Sequence, residues 1–93
     1  MSRIIRTQGS KNVATAGTQV PLSATSVGFE SLIVQAKITN TDSIYVGNST
    51  VSSTDGIVLT SLASVVLDGG DLNDVHIDSA VNGEGVTFLY VNS

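Results

Sequence analysis

The amino-acid sequence predicts an all-β protein: a single-domain antiparallel β-sandwich, or a jelly-roll-like barrel, of about 7–8 short strands. Three observations predict it. Val, Ile and Thr make up 30 of the 93 residues, and these stiff, β-branched side chains suit a pleated surface better than a helix. Charged residues amount to 13%, and Lys, Glu and Gln are scarce, so no window supports a long solvent-facing helix. The apolar runs are short and separated by Gly, Asn and Asp, with no gap that holds a crossover helix, which excludes parallel βαβ units.

The elements follow in chain order. Residues 1–11 end in the turn-rich stretch Gln8-Gly9-Ser10-Lys11 and read as an arm; the sandwich domain is expected over 12–93. Asn12 to Thr15 offers a first pairing segment, and Thr18 to Leu22 is a short strand. Pro21 lacks a backbone donor, which places that strand at an edge. Ser23 to Gly28 is a loop. Glu30 to Thr39 is the strongest strand: Leu32, Val34, Ala36 and Ile38 alternate onto one face, with Gln35, Lys37 and Thr39 on the other. Asn40-Thr41-Asp42 is turn chemistry, and Ser43 to Gly47 returns with Ile44 and Val46 on one face. The two runs read as an antiparallel hairpin.

Asn48 to Gly56 is a polar loop, ending in the turn signal Asp55-Gly56. Ile57 to Leu59 is a short strand. Ala63 to Leu67 is another, closed by Asp68-Gly69-Gly70. Asp71 to Asp74 links it to a brief strand, Val75 to Asp78, with Val75 and Ile77 inward and His76 and Asp78 outward. Asn82-Gly83-Glu84-Gly85 is a tight connection, and Val86 to Val91 closes the chain. Val86, Phe88 and Tyr90 line one side of this last strand and Leu89 and Val91 the other. Both of its faces therefore need cover, either from a central place in a sheet or from a subunit interface. These five residues, Val86, Phe88, Leu89, Tyr90 and Val91, are the candidates for core and self-association.

Size and charge bound the partners. A chain of this length buries about 60–65% of the surface its unfolded form exposes. It has no cysteine, so no disulfide or thiolate site staples it. Stability must come from the sheet core or from a second subunit, and a homo-oligomer, trimer or dimer, is expected. Residues 1–11 carry a net charge of +3 and residues 12–93 a net −7. Two readings of that asymmetry stand side by side: a frayed, solvated terminus, or a basic arm in which Arg3 and Arg6 dock on an acidic neighbour with Ile4 and Ile5 as apolar anchors. No stretch is long and apolar enough to span a membrane. Met1 to Thr7 is too polar for a signal peptide, which places synthesis in a cytoplasm.

The residues offer little chemistry. His76 is the single histidine, and no Gly-x-Ser-x-Gly elbow accompanies it. One His and no Cys make no zinc cage. Asp68, Asp71, Asp74 and Asp78 are oxygen ligands of the calcium type, yet they lack EF-hand spacing and read more simply as turn caps. Gly69-Gly70 and Gly83-x-Gly85 are followed by neither Lys-Ser nor Lys-Thr, so they are not phosphate loops. The acidic body disfavours nucleic acid. The sequence predicts a non-enzymatic protein with no cofactor and no metal.

Three stretches carry a family resemblance. The first is Thr15-Ala16-Gly17-Thr18-x-Val20-x-Leu22. The second is Ile44-Tyr45-Val46-Gly47-Asn48-Ser49-x-Val51-Ser52-x-Thr54-x-Gly56-Ile57. The third runs from Ala80-Val81-Asn82-Gly83-Glu84-Gly85 to Val86-Thr87-Phe88-Leu89-Tyr90. Over roughly residues 13–91 the chain resembles small virion-associated proteins of tailed phages and prophages. The resemblance implies a β-sandwich, often a jelly roll, of the kind found in capsid decoration (cement) proteins, head fibres and tail adhesins. The partner it implies is the major capsid protein, and the location it implies is the outer capsid surface of a virion assembled in the host cytoplasm. Arg3, Ile4, Ile5 and Arg6 are the candidate contacts to the shell or to a neighbouring copy. The alternative is a fibre or tail adhesin module for host surface carbohydrate; the absence of Trp, with Tyr45 as the one expected exposed ring, weighs against it.

Overall fold

The structure, a computed structural model, describes residues 5–92. Eight strands form: β1 (Arg6–Asn12), β2 (Val20–Pro21), β3 (Gly28–Ala36), β4 (Ile44–Gly47), β5 (Ile57–Leu59), β6 (Ser64–Asp71), β7 (His76–Ser79) and β8 (Gly85–Asn92). They pair antiparallel in two four-stranded sheets, ordered β1-β8-β3-β6 and β2-β7-β4-β5. Every connection except β4–β5 passes from one sheet to the other. This is the strand order of an eight-stranded jelly roll, one of the sandwich forms the sequence predicts.

The core lies between the sheets. Leu32, Val34 and Ala36 of β3 and Val86 of β8 face Ile44 and Val46 of β4 and Ile77 of β7, all buried. Each fully buried aliphatic side chain contributes about 1.5–3 kcal/mol. Phe29 joins the same face although it is an odd number of residues from Leu32. A bulge between Phe29 and Ser31, relative to β8, shifts the side-chain parity by one. The two runs Leu32/Val34/Ala36 and Ile44/Val46 point inward as their alternation requires, and Pro21 stands on an edge strand.

Several expectations are corrected. Residues 6–11 do not form an arm. Arg6 to Asn12 pair in register with Val91 to Gly85, because β8 needs a neighbour on that side to satisfy its backbone. Arg3 and Ile4 lie outside the described residues. The segments 30–39 and 43–47 do not form a hairpin, since β3 pairs with β6 and β8 while β4 pairs with β5 and β7. The chain turns a corner instead. The Lys37 amide donates to the Gly85 carbonyl (3.1 Å). The buried Asn40 side chain donates to the same carbonyl (2.8 Å) and accepts from the Gly85 amide (3.2 Å). Ile38 lies beyond the end of β3 and is 70% exposed.

Gly69-Gly70 does not close β6, which runs on to Asp71. Gly70 (φ 145°) lies under the Phe29 ring, where a Cβ would come within 3.1 Å of it, so the glycine lets the ring cover the strand. Asp78 faces inward, not outward: it is buried and its Oδ1 accepts the Gly17 amide (3.0 Å) and the Ser79 amide (2.8 Å). That carboxylate ties the β1–β2 crossing to β7.

Candidate interaction surface

The polar side chains at the crossings serve the fold. Asp71 Oδ1 accepts the amides of Val27 (3.0 Å) and Asn73 (2.8 Å), and Oδ2 accepts the Ser26 hydroxyl. The Ser26 hydroxyl, with the Asn73 and Val27 amides, holds the Asp71 carboxyl below the usual carboxylate range. Glu84 does the same at the opposite corner. It accepts the Thr41 amide (2.6 Å), the Thr41 hydroxyl (2.8 Å) and the Asp42 amide (3.2 Å). The Thr41 amide is the main cause of a lowered Glu84 pKa. His76 Nδ1 lies 3.4 Å from the Asp74 carbonyl oxygen. Among the described residues no three His, Asp or Glu side chains are gathered where they can share a metal ion.

The depressions near loops are also self-satisfied. The one at Asn40–Ser43 contains Asp42, whose Oδ1 accepts the Ser43 amide (2.7 Å). The one at Val46–Ile57 contains Asn48, whose Oδ1 accepts the Thr50 amide (2.9 Å) and hydroxyl (2.7 Å). Local turns use these groups up.

The largest unsatisfied feature is a sheet face. The register of β1-β8-β3-β6 stacks the outward side chains in rows. One row reads Gln8, Leu89, Ile33, Val66. The next reads Arg6, Val91, Ser31, Asp68. The one on the other side reads Ser10, Thr87, Gln35, Ser64. Leu89, Ile33 and Val66 are 39%, 42% and 57% exposed, and together they cross three strands as a continuous apolar band. A depression of about 310 Å³ lies beside it, bounded by Gln8, Gln35, Thr87, Leu89 and Ile33.

The predicted site residues divide. Val86 is core. Phe88 and Tyr90 turn inward against the core, with ring centroids 6.3 Å apart. Leu89 and Val91 turn outward onto the open face. Strand β8 is central, yet only its inner side is covered by its own chain. Ile5 is exposed, and its amide donates to Asn92 Oδ1 (2.7 Å). Arg6 begins β1, on the rim of the open face. Sequence reasoning missed Ile33, Val66 and Asp68. The signal was present: Ile33 breaks the polar alternation of its strand, and Val65-Val66 puts an apolar side chain on each face of β6.

Scans of the chain against family models, curated proteins and solved structures each find no match.

Proposed function

We propose that this chain is a tailed-phage capsid decoration protein, which binds the outer surface of the assembled shell, partnering the major capsid protein, and stabilises it. The observation that carries the reading is an eight-stranded jelly roll, an architecture used in viral capsid proteins, in which Asp71, Asp78, Glu84, Asn40 and Asn48 are engaged by the protein's own backbone while one broad, nearly neutral sheet face stays open. Such a face offers area for an interface, with a shell or with a second copy. The resemblance of residues 13–91 to small virion proteins supports the same reading.

The mechanism is linkage. A protein that binds the assembled shell but not separated subunits shifts the equilibrium toward the shell. Many equivalent sites let a modest interface act collectively. Arg3, Ile4, Ile5 and Arg6 supply contacts to the shell or to a neighbouring copy.

Co-sedimentation with expanded phage shells tests the reading. The full chain is compared with a form lacking residues 2–4, which leaves every described strand intact. Saturable binding, weakened by the truncation, is the expected result. Failure of both forms to bind shells sinks the decoration reading and favours a carbohydrate-binding adhesin, for which retention on host polysaccharide is the direct check.

A further inference from the structure

The open face is complementary to itself. Basic side chains lie toward its β1 edge: Arg6 projects from β1, and Lys37 reaches back to Asn12 Oδ1 at 2.8 Å. Acidic side chains lie toward its β6 edge: Asp68 projects from β6, and Glu30 stands exposed at the β3 bulge. No hydrogen bond or ion pair among the described residues engages the Arg6 or Asp68 side chain. The relief runs the same way. Val66, the most exposed of the apolar band, stands out on the β6 side, while the depression is lined by β1, β8 and β3, from Gln8 across Thr87 and Leu89 to Ile33 and Gln35.

The geometry points to a symmetric dimer in which the β1-β8-β3-β6 face of one copy packs on the same face of a second copy, about a two-fold axis parallel to the strands. That operation exchanges β1 with β6 and β8 with β3 while keeping each row level. Arg6 then meets the partner's Asp68, because both belong to one row. Leu89 meets the partner's Ile33. Val66 meets the partner's Gln8 and enters the depression beside it. Each contact occurs twice, as an isologous interface requires. Sheets packed face to face keep their strands within about 30° of each other, which preserves this row matching near the centre.

The area sets the strength. Four strands about 4.8 Å apart, seven to nine residues long at about 3.3 Å each, give a plan of roughly 19 by 25 Å. Two such faces bury about 1,000 Å² or somewhat more, the lower end for a specific interface. The dimer is therefore weak in solution, forming over the micromolar to sub-millimolar range. It stands whether or not the chain binds a shell.

Sedimentation equilibrium of the full chain, from about 1 µM to about 1 mM, is the test. Arg6→Asp puts like charges together at both ends of the interface, and Asp68→Arg does the same. Each weakens dimerisation about tenfold or more, because two exposed pairs are lost at once. The double variant Arg6→Asp/Asp68→Arg restores the pairing with reversed sign and recovers most of the loss. Leu89→Lys, beside the two-fold axis, abolishes the dimer. Far-UV circular dichroism confirms that each variant is folded, and the charge-swap pair, on exposed positions, carries the test even if Leu89→Lys unfolds. A monomer at every concentration overturns the proposal. So does an oligomer indifferent to Leu89→Lys, or a double swap no tighter than either single one.

Discussion

Asn40 is the residue on which the β3–β4 corner turns, and its removal is a sharp test of how this fold is held. Its side chain is 8% exposed and makes two hydrogen bonds to the backbone of Gly85, one as donor and one as acceptor. An alanine there loses both bonds, at about 0.5–1.5 kcal/mol each, and strips the buried Gly85 amide of its acceptor at further cost, while the Gly85 carbonyl keeps the Lys37 amide. The expected loss is about 2–4 kcal/mol. For a domain of this size that lowers the thermal midpoint by roughly 10–20 °C. Asn48→Ala is the control, since Asn48 Oδ1 also accepts two hydrogen bonds, from the Thr50 amide and hydroxyl, but in an exposed loop. Water replaces those bonds, and the cost stays below about 1 kcal/mol. Asn40→Asp should be worse than Asn40→Ala, because it sets a carboxylate oxygen against the Gly85 carbonyl. Urea melts and calorimetry of the three variants give the comparison. Equal midpoints for Asn40→Ala and Asn48→Ala would refute the claim that burial makes the corner.

Other outcomes follow from single contacts. Asp71 and Glu84 both have lowered pKa values in the fold, so the stability they add is complete above the usual carboxylate range and is lost as pH falls through their lowered values. Urea midpoints should therefore drop below about pH 4, and Glu84→Gln should flatten that drop; an unchanged acid limb in Glu84→Gln and in Asp71→Asn would contradict this. Gly70→Ala should cost about 1–3 kcal/mol, from a φ of 145° and a Cβ within 3.1 Å of the Phe29 ring, and a wild-type thermal midpoint would show that the ring moves freely. Leu62 holds a positive φ of 68° with its side chain exposed. Leu62→Asn should therefore raise stability by about 0.5 kcal/mol, and a fall in the denaturant midpoint would count against strain at that site.

Much of this architecture is legible in the sequence, and what is missed has definite causes. The inward set Leu32, Val34 and Ala36, the pair Ile44 and Val46, and the edge at Pro21 follow from period-two alternation and a missing donor. Strand partners do not. Asn40-Thr41-Asp42 fits a hairpin turn and a corner equally well, and the choice is made by Gly85, 45 residues away. Gly69-Gly70 resembles a strand end because glycine usually is one; here it makes room for a ring from the neighbouring strand. Arg6 to Asn12 carries too few apolar residues to announce itself as a strand, because only backbone pairing with β8 holds it. The open face is half legible: Leu89 and Val91 stand out in their own strand, while Ile33, Val66 and Asp68 join them only through register.

The central claim is that binding of this protein stabilises an assembled shell, and the most direct measurement is the melting temperature of expanded shells titrated with the full chain. The expected result is a rise that continues logarithmically with free protein after the sites are filled, corresponding to about 2.7 kcal/mol per site at a hundredfold excess over the dissociation constant. Shells that bind the protein to saturation yet melt at an unchanged temperature would contradict it.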